Sequence, residues 1–373
     1  MNSTLLEAAR KIAPVLADNA EATARATRPV PDNITAIREA GMFALPVPRE
    51  AGGHDADPRT LVEVIAELGR GCASTAWVVA VSAGNKKLYE PMLPGTAQEA
   101  LRADPHGVLC GSAVARDIRA ERVPGGLRVS GKWAMASGSE VASWAVAGVS
   151  LDDGTPPTAC LTLLPMTDLT VERTWRAIGM EGTSSHTIVA DGVFVPQEFF
   201  AELEPGTARK PLSHVGALGL LASMVGATHR ALDIVATSIT GDRKPQGSTY
   251  ARVVDSPLGR HWFTEALRRA ESAMQRALRV ADLQALDPDV TASEEERLRS
   301  RVEMATAAQE CREAVELLLD LHGTGGFAQD HPLQRQWRDV AVGTRHPVFN
   351  SYLLAEQRGR VYFDMSPAAG ASQ

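Results

Sequence analysis

The residues best suited to chemistry lie near the C-terminus, in "WRDVAVGTRHPVFN", residues 337–350. Arg338, Asp339, Arg345 and His346 crowd this stretch, and Pro347 directly follows the histidine. A residue before proline is pushed out of the helical region, so His346 is expected at a junction, with its ring pointing into a cavity. An unperturbed imidazole titrates near neutrality and can take a proton and return it. A satisfied buried histidine is the alternative reading. Arg338 and Asp339 are expected to brace neighbouring helices as an ion pair.

Other candidate chemistries lack their context. "GLRVSGKW" at 126–133 comes close to a phosphate-binding loop, but Trp133 stands where a magnesium-binding Ser or Thr is needed, and the run reads as part of a hairpin. "HGTGGFAQ" at 322–329 resembles a dinucleotide glycine loop, yet it follows a helical pattern rather than a strand. Its glycines either admit a ligand close to the backbone or cap the helix. The 9 histidines include no HExxH, and the 4 cysteines (Cys72, Cys110, Cys160, Cys311) show no CxxC spacing. No metal site and no disulfide framework are therefore expected. There is no GxSxG nucleophile elbow.

The elements that must position these residues fall into three regimes. Residues 1–105 carry helical periodicity; "DPRTLVEVIAEL" places Leu61, Val64, Ile65 and Leu68 on one face behind Pro58. Residues 106–208 switch to short β-rich runs such as "GGLRVSGKWAMASG" and "HTIVADGVFVP", which read as a barrel or sandwich. Residues 209–373 return to helix, with Ser256 and Pro257 opening one long amphipathic segment. A capping box of Ser293 and Glu296 opens another, which stops at Gly323. Runs of like elements argue for an α+β multi-domain protein rather than an alternating parallel sheet.

With 373 residues, 44% hydrophobic and 22% charged, the chain has an ordinary globular composition and ample length for a core. A net charge of −7 advertises no nucleic-acid surface. No run approaches roughly 20 consecutive apolar residues, and "MNSTLLEAARKIAPVL" is not expected to be a leader. A cytoplasmic protein with reduced thiols, binding neither nucleic acid nor membrane, is the expectation.

Several short motifs, taken in order, resemble the acyl-CoA dehydrogenase superfamily over nearly the whole chain, and within it the flavin-dependent monooxygenase branch. They are "CASTAW" (72–77), "LCGSAVA" (109–115), "GGLRVSGKWAMASGSEVASW" (125–144), "RTWRAIGMEGTSS" (173–185), "VFVP" (193–196) and "GTGGFAQDHPLQRQWRDVAVGTRH" (323–346). The resemblance implies an N-terminal helical domain, a middle β domain and a C-terminal four-helix bundle, assembled as a homotetramer. It also implies a flavin (FMN or FAD) between sheet and bundle. Reduced flavin would come from a separate NAD(P)H-dependent flavin reductase, with O2 as co-substrate and a C4a-hydroperoxide as the oxygenating species.

Dehydrogenases of the superfamily carry a catalytic glutamate where this chain reads "RDVAVGTRHPVFN", and no carboxylate occupies that place. Carrying roles across residue by residue, the resemblance makes His346 the acid/base and Ser137 the partner of flavin N5. It makes Cys110, Ser112, Ser185, Gly325 and Gly326 flavin contacts and Trp175 a residue packed on the ring. Asn85 stands where phenol-hydroxylating relatives place a pocket histidine. That departure favours an aromatic, polyketide-like or amino substrate of secondary metabolism over a simple phenol. The rival reading is an acyl-CoA dehydrogenase-like oxidoreductase with a relocated base, for which Glu265 and Glu271 are the only nominees; a flavin-free scaffold is a third.

Overall fold

The computed structural model describes residues 2–112, 114–152, 157–204, 214–242, 244–245, 247–286, 293–363 and 365. The chain opens with α1 (Asn2–Asp18), α2 (Ala20–Ala26), α3 (Pro31–Glu39), α4 (Pro58–Gly71), α5 (Ala73–Tyr89) and α6 (Gly95–Arg102). The α4 start follows from local chemistry: Asp57 accepts the Thr60 N–H at 2.8 Å, and Pro58 occupies a first-turn position where its missing N–H costs nothing. The face predicted from Leu61, Val64, Ile65 and Leu68 is fully buried.

The strands follow as β1 (Leu109–Ser112), β2 (Val114–Val123), β3 (Gly126–Ala136), β4 (Trp144–Leu151), β5 (Thr158–Pro165), β6 (Thr170–Glu172), β7 (His186–Pro196) and β8 (Phe200–Glu202). They form one sheet in the order β6-β7-β3-β2-β4-β5-β8, with β1 parallel to β4. The run that imitates a phosphate loop is strand β3, and Trp133 is buried there with its indole N–H on the Gly148 carbonyl at 3.1 Å. Along β4 the pleat separates two cores. Ala145, Ala147 and Val149 face the interior of the sheet. Val146 turns the other way and packs with Leu93, Ala97 and Leu101, which lie in and just before α6.

The C-terminal helices are α7 (His214–Thr240), α8 (Pro257–Leu286), α9 (Glu294–His322), α10 (Pro332–Gly343) and α11 (Ser351–Tyr362). The Ser293–Glu296 capping box and the Gly323 C-cap of α9 form as the sequence predicts. By length and composition α7 could cross a membrane, but 83% of its apolar window is buried inside the protein, and it serves as the central core helix. It packs against α4 and α5 on one side and α8 and α9 on the other, so both helical regions share one continuous hydrophobic core. A Cβ at Gly226 of α7 would collide with the Ala66 carbonyl oxygen, so this backbone approach is open only to glycine. All four cysteines are buried and none is in a disulfide.

Candidate active site

A chain of hydroxyls joins the helices to the sheet. On α5, the Trp77 indole N–H donates to Ser137 Oγ at 3.3 Å. Ser137 Oγ lies 2.7 Å from Ser185 Oγ, which lies 2.7 Å from Thr183 Oγ1. Thr183 Oγ1 donates to the Met180 carbonyl at 2.8 Å. Each hydroxyl has one proton to give. Because the Met180 carbonyl can only accept, Thr183 spends its proton there and must accept from Ser185. Ser185 must then accept from Ser137, and Ser137 from Trp77. The protons all point one way, and each oxygen keeps a spare lone pair.

Two loops carry this chain. At the end of β3 the pairing with β7 shifts register, and Met135 adopts a left-handed φ of +59° with its side chain exposed. The loop before β7 passes through left-handed Met180 and Ser184. The Gly138 N–H binds the Thr183 carbonyl at 2.8 Å and Ser139 Oγ binds the Ser184 carbonyl at 2.7 Å, zipping the two loops together. Trp175 is half-buried and held at both ends. Its backbone N–H donates to His186 Nδ1 at 3.2 Å and its indole N–H to the Met180 carbonyl at 2.9 Å.

His346 reaches the same place from the bundle. It caps a short 3-10 turn, Pro347–Phe349, with φ −53° and ψ 140°, the extended conformation expected before proline. Its ring meets the Trp77 ring edge-on with centroids 5.8 Å apart. Nδ1 accepts the Val348 N–H at 3.3 Å, which leaves the proton of the neutral ring on Nε2. Nε2 has no hydrogen-bond partner among the described residues. Burial lowers the imidazole pKa to about 4, so the ring does not titrate near neutrality as the sequence alone suggests; it is neutral at physiological pH.

The expected Arg338–Asp339 ion pair does not form. Arg338 instead donates to the Ile178 carbonyl at 2.6 Å and to Glu181 Oε1 at 3.1 Å, while Asp339 Oδ1 accepts the Met180 N–H at 2.5 Å. A Cβ at Gly179 would collide with the Arg338 carbonyl oxygen. The first residues of "RDV" thus clamp the Ile178–Glu181 turn to α10. Burial pushes the Asp339 carboxyl up to about 6, against the opposing pull of the Met180 N–H.

The remaining sequence candidates are scattered. Asn85 Nδ2 donates to the Leu109 carbonyl at 3.1 Å and docks α5 on β1. The Cys110 thiol is sealed in the sheet core against Met166, and burial lifts its pKa to about 12, so only its backbone can serve a ligand. Ser112 Oγ donates to the Ala134 carbonyl and accepts the Val114 N–H. Gly325 and Gly326 lie in the turn before α10, whereas His346 follows its far end, so roughly 18 Å of helix separates them. Phe327 of that turn meets the Trp337 ring at 5.6 Å, and Trp337 lines a cleft of about 580 Å³. Ile178, Trp337, Arg338, Arg312 and Arg345 help to line the cleft together with Glu313, Glu316 and Asp320; Ser137, Ser185 and His346 do not. Sequence reasoning assigns no role to Trp77 or Thr183, although both lie inside the motifs "CASTAW" and "GTSS".

Residues 3–101 match the acyl-CoA dehydrogenase N-terminal domain family, and residues 218–351 the acyl-CoA dehydrogenase C-terminal domain family. The FADH(2)-dependent resorcinol hydroxylase, oxygenase component, of Rhizobium sp. (strain MTP-10005) is 32% identical, over 95% of this chain and 93% of its own length. The chain belongs to the acyl-CoA dehydrogenase superfamily, in its flavin-dependent monooxygenase branch. The flavin-dependent monooxygenase oxygenase subunit HsaA of Rhodococcus jostii (strain RHA1) is 29% identical over 89% of this chain and 91% of its own length. The solved structure of XiaF from Streptomyces sp. in complex with FADH2 and glycerol superposes with a TM-score of 0.90 at 28% identity, covering 99% of this chain and 97% of that one. The sheet is thus the middle domain of this oxygenase, and the helices on either side of it in sequence are its N- and C-terminal regions.

The two carboxylates nominated for the rival dehydrogenase chemistry are not placed to act as its base. Arg268 and Arg269 hold Glu265 on the surface of α8 and keep its carboxyl at about 2, while Glu271 is exposed. Among the described residues no group of three or more metal-ligating side chains occurs. The junction does fit a reduced flavin. Trp77 and Trp175 stand beside it, His346 is held neutral, and Ser137 keeps a lone pair that can accept a ring N–H.

Proposed function

We propose that this oxygenase takes reduced flavin from a separate NAD(P)H-dependent flavin reductase and adds one oxygen atom of O2 to an aromatic or polyketide-like substrate. The second oxygen atom leaves as water. The observation that carries this reading is the convergence of His346, Trp77 and the Ser137–Ser185–Thr183 chain at the junction of α5, the sheet and the bundle. Bound reduced flavin would supply the electrons that activate O2. Ser137 Oγ would accept the N–H at flavin N5, and the half-buried Trp175 would cover the ring. Cys110 and Ser112 contribute backbone only.

His346 acts on the substrate side. With Nδ1 engaged by Val348, the ring offers Nε2–H to a substrate oxygen, drawing it into line and stabilising charge that builds there. Asn85 keeps a free Oδ1 two helical turns from Trp77 and orients the substrate without exchanging protons. The burial that depresses the His346 pKa also excludes water, which limits wasteful peroxide release.

The flavin tail would be held in the cleft beside Trp337. Arg312 and Arg345 line it beside Glu313, Glu316 and Asp320 and, among the described residues, form no ion pair, which leaves both guanidiniums open to a phosphate. Tyr352, Tyr362 and Phe363 stand exposed on and after α11, which suits a homotetramer in which a neighbouring copy shares this tail. Buried cysteines with no disulfide among them suit the cytoplasm. The test is to supply reduced FAD or FMN from an unrelated reductase with a panel of aromatic substrates, and to measure product and hydrogen peroxide per O2 consumed. Substrate-dependent oxygenation supports the reading; peroxide alone with every substrate contradicts it.

A further inference from the structure

We propose that Thr183, held through Met180 by Asp339, makes the site select reduced over oxidised flavin by fixing the direction of the hydroxyl chain. The inference rests on the placement of Ser137 at flavin N5. Reduced flavin carries a hydrogen on N5 and donates there; oxidised flavin has a bare N5 and accepts. Which form is welcome depends on whether Ser137 presents a lone pair or a proton.

The structure answers this at the other end of the chain. The Met180 carbonyl takes both the Trp175 indole N–H and the Thr183 hydroxyl, and it has no proton to return. Every proton between Ser137 and Thr183 is therefore drawn toward Met180, and Ser137 faces a ligand as an acceptor. An oxidised ring would set two acceptors against each other.

The position of that carbonyl is itself secured. Asp339 takes the N–H of the same residue at 2.5 Å, Arg338 takes the Ile178 carbonyl, and Gly179 leaves no room for a side chain between the turn and α10. Met180 holds a left-handed φ of +55°, a conformation a methionine keeps only when its surroundings impose it. Thr183 and Asp339 touch neither flavin nor substrate in this scheme and are positioning residues. Without the Thr183 hydroxyl, Ser185 loses its acceptor, turns its proton to Ser137, and frees the Ser137 proton to meet a bare N5.

The experiment is an anaerobic equilibrium titration of the full chain with FADH2 and with FAD, comparing the two dissociation constants. Wild type is expected to favour the reduced form. Thr183→Val should lower that preference about tenfold, chiefly by tightening FAD binding, since a mismatched buried polar pair is worth on that order. Thr183→Ser keeps the hydroxyl and should restore the preference. Asp339→Ala should shift the ratio the same way by a smaller factor and speed hydrogen exchange at the Met180 amide in the flavin-free protein, while Asp339→Asn, which keeps an acceptor, should do neither. An unchanged ratio in Thr183→Val, or equal change in Thr183→Ser, overturns the proposal. Ser137→Ala separates the layers. If it alters the ratio while Thr183→Val does not, the chain direction is wrong; if it alters neither constant, Ser137 is not at the flavin.

Discussion

The hydroxyl wall and the His346 junction touch through the rings of Trp77 and His346, yet they are held by opposite means. Along the wall every proton is committed, two loops are zipped together, and an acidic side chain from α10 clamps the turn beneath. At the junction a single long hydrogen bond from the Val348 N–H orients the imidazole, and burial sets its charge. The wall suits a rigid ring bound the same way in each turnover. The junction suits a smaller group that must adjust to a substrate entering and leaving, because little besides ring packing fixes it.

Removing one side at a time should separate the two roles. The largest effect is expected at the junction. His346→Ala should lower product formation about 100-fold or more, the range for loss of a positioned proton donor or acceptor, while flavin binding and O2 uptake persist. Product assays beside oxygen-electrode traces check this; parallel loss of flavin binding would make the histidine a structural element. The next effect lies in the wall. Ser137→Ala should raise the peroxide share of consumed O2 roughly tenfold, with the protein still folded.

Asp339 sharpens the comparison through pH. Its folded pKa is raised from the ordinary 3.8 to about 6, so the protonated carboxyl is favoured by folding. Its contribution is fully present below about pH 4 and is lost as pH rises through 6. His346 runs the other way: with a folded pKa lowered to about 4, it contributes stability above its unfolded value of 6.5 that is lost as pH falls toward 4. Asp339→Asn should therefore gain stability relative to wild type between pH 4 and 6, by about 3 kcal/mol at most. Denaturant melts across that range measure it, and a change of the opposite sign would mean that the carboxylate is stabilised as the anion. The smallest effect is expected at Glu265→Gln on α8, where an exposed ion-pair network should change stability by under about 1 kcal/mol and leave turnover untouched.

Much of this architecture is legible in the sequence. Pro58, the Ser293–Glu296 box and Gly323 mark helix ends because caps are local chemistry. His346 before Pro347 marks a junction for the same reason. What stays hidden depends on contacts between distant segments. Nothing in "RDV" says that Asp339 will meet a backbone N–H 159 residues away rather than its neighbour Arg338. Left-handed Met180 and Ser184 have no propensity signal, since neither is glycine, and the Met180 turn decides where the hydroxyl chain ends. For Cys110, "LCGS" does not reveal which way the pleat turns: in β1 the pairing with β4 sends the thiol into the sheet core and leaves only the backbone for a ligand.

The division of labour between wall and junction is tested most directly by the fate of O2 in Ser137→Ala and His346→Ala under saturating substrate. With the serine variant, peroxide should replace product while reduced flavin is consumed faster. With the histidine variant, product should disappear without faster consumption of reduced flavin. If both variants lose product with the same peroxide yield and the same rate of flavin oxidation, the two sides do not act separately and the account fails.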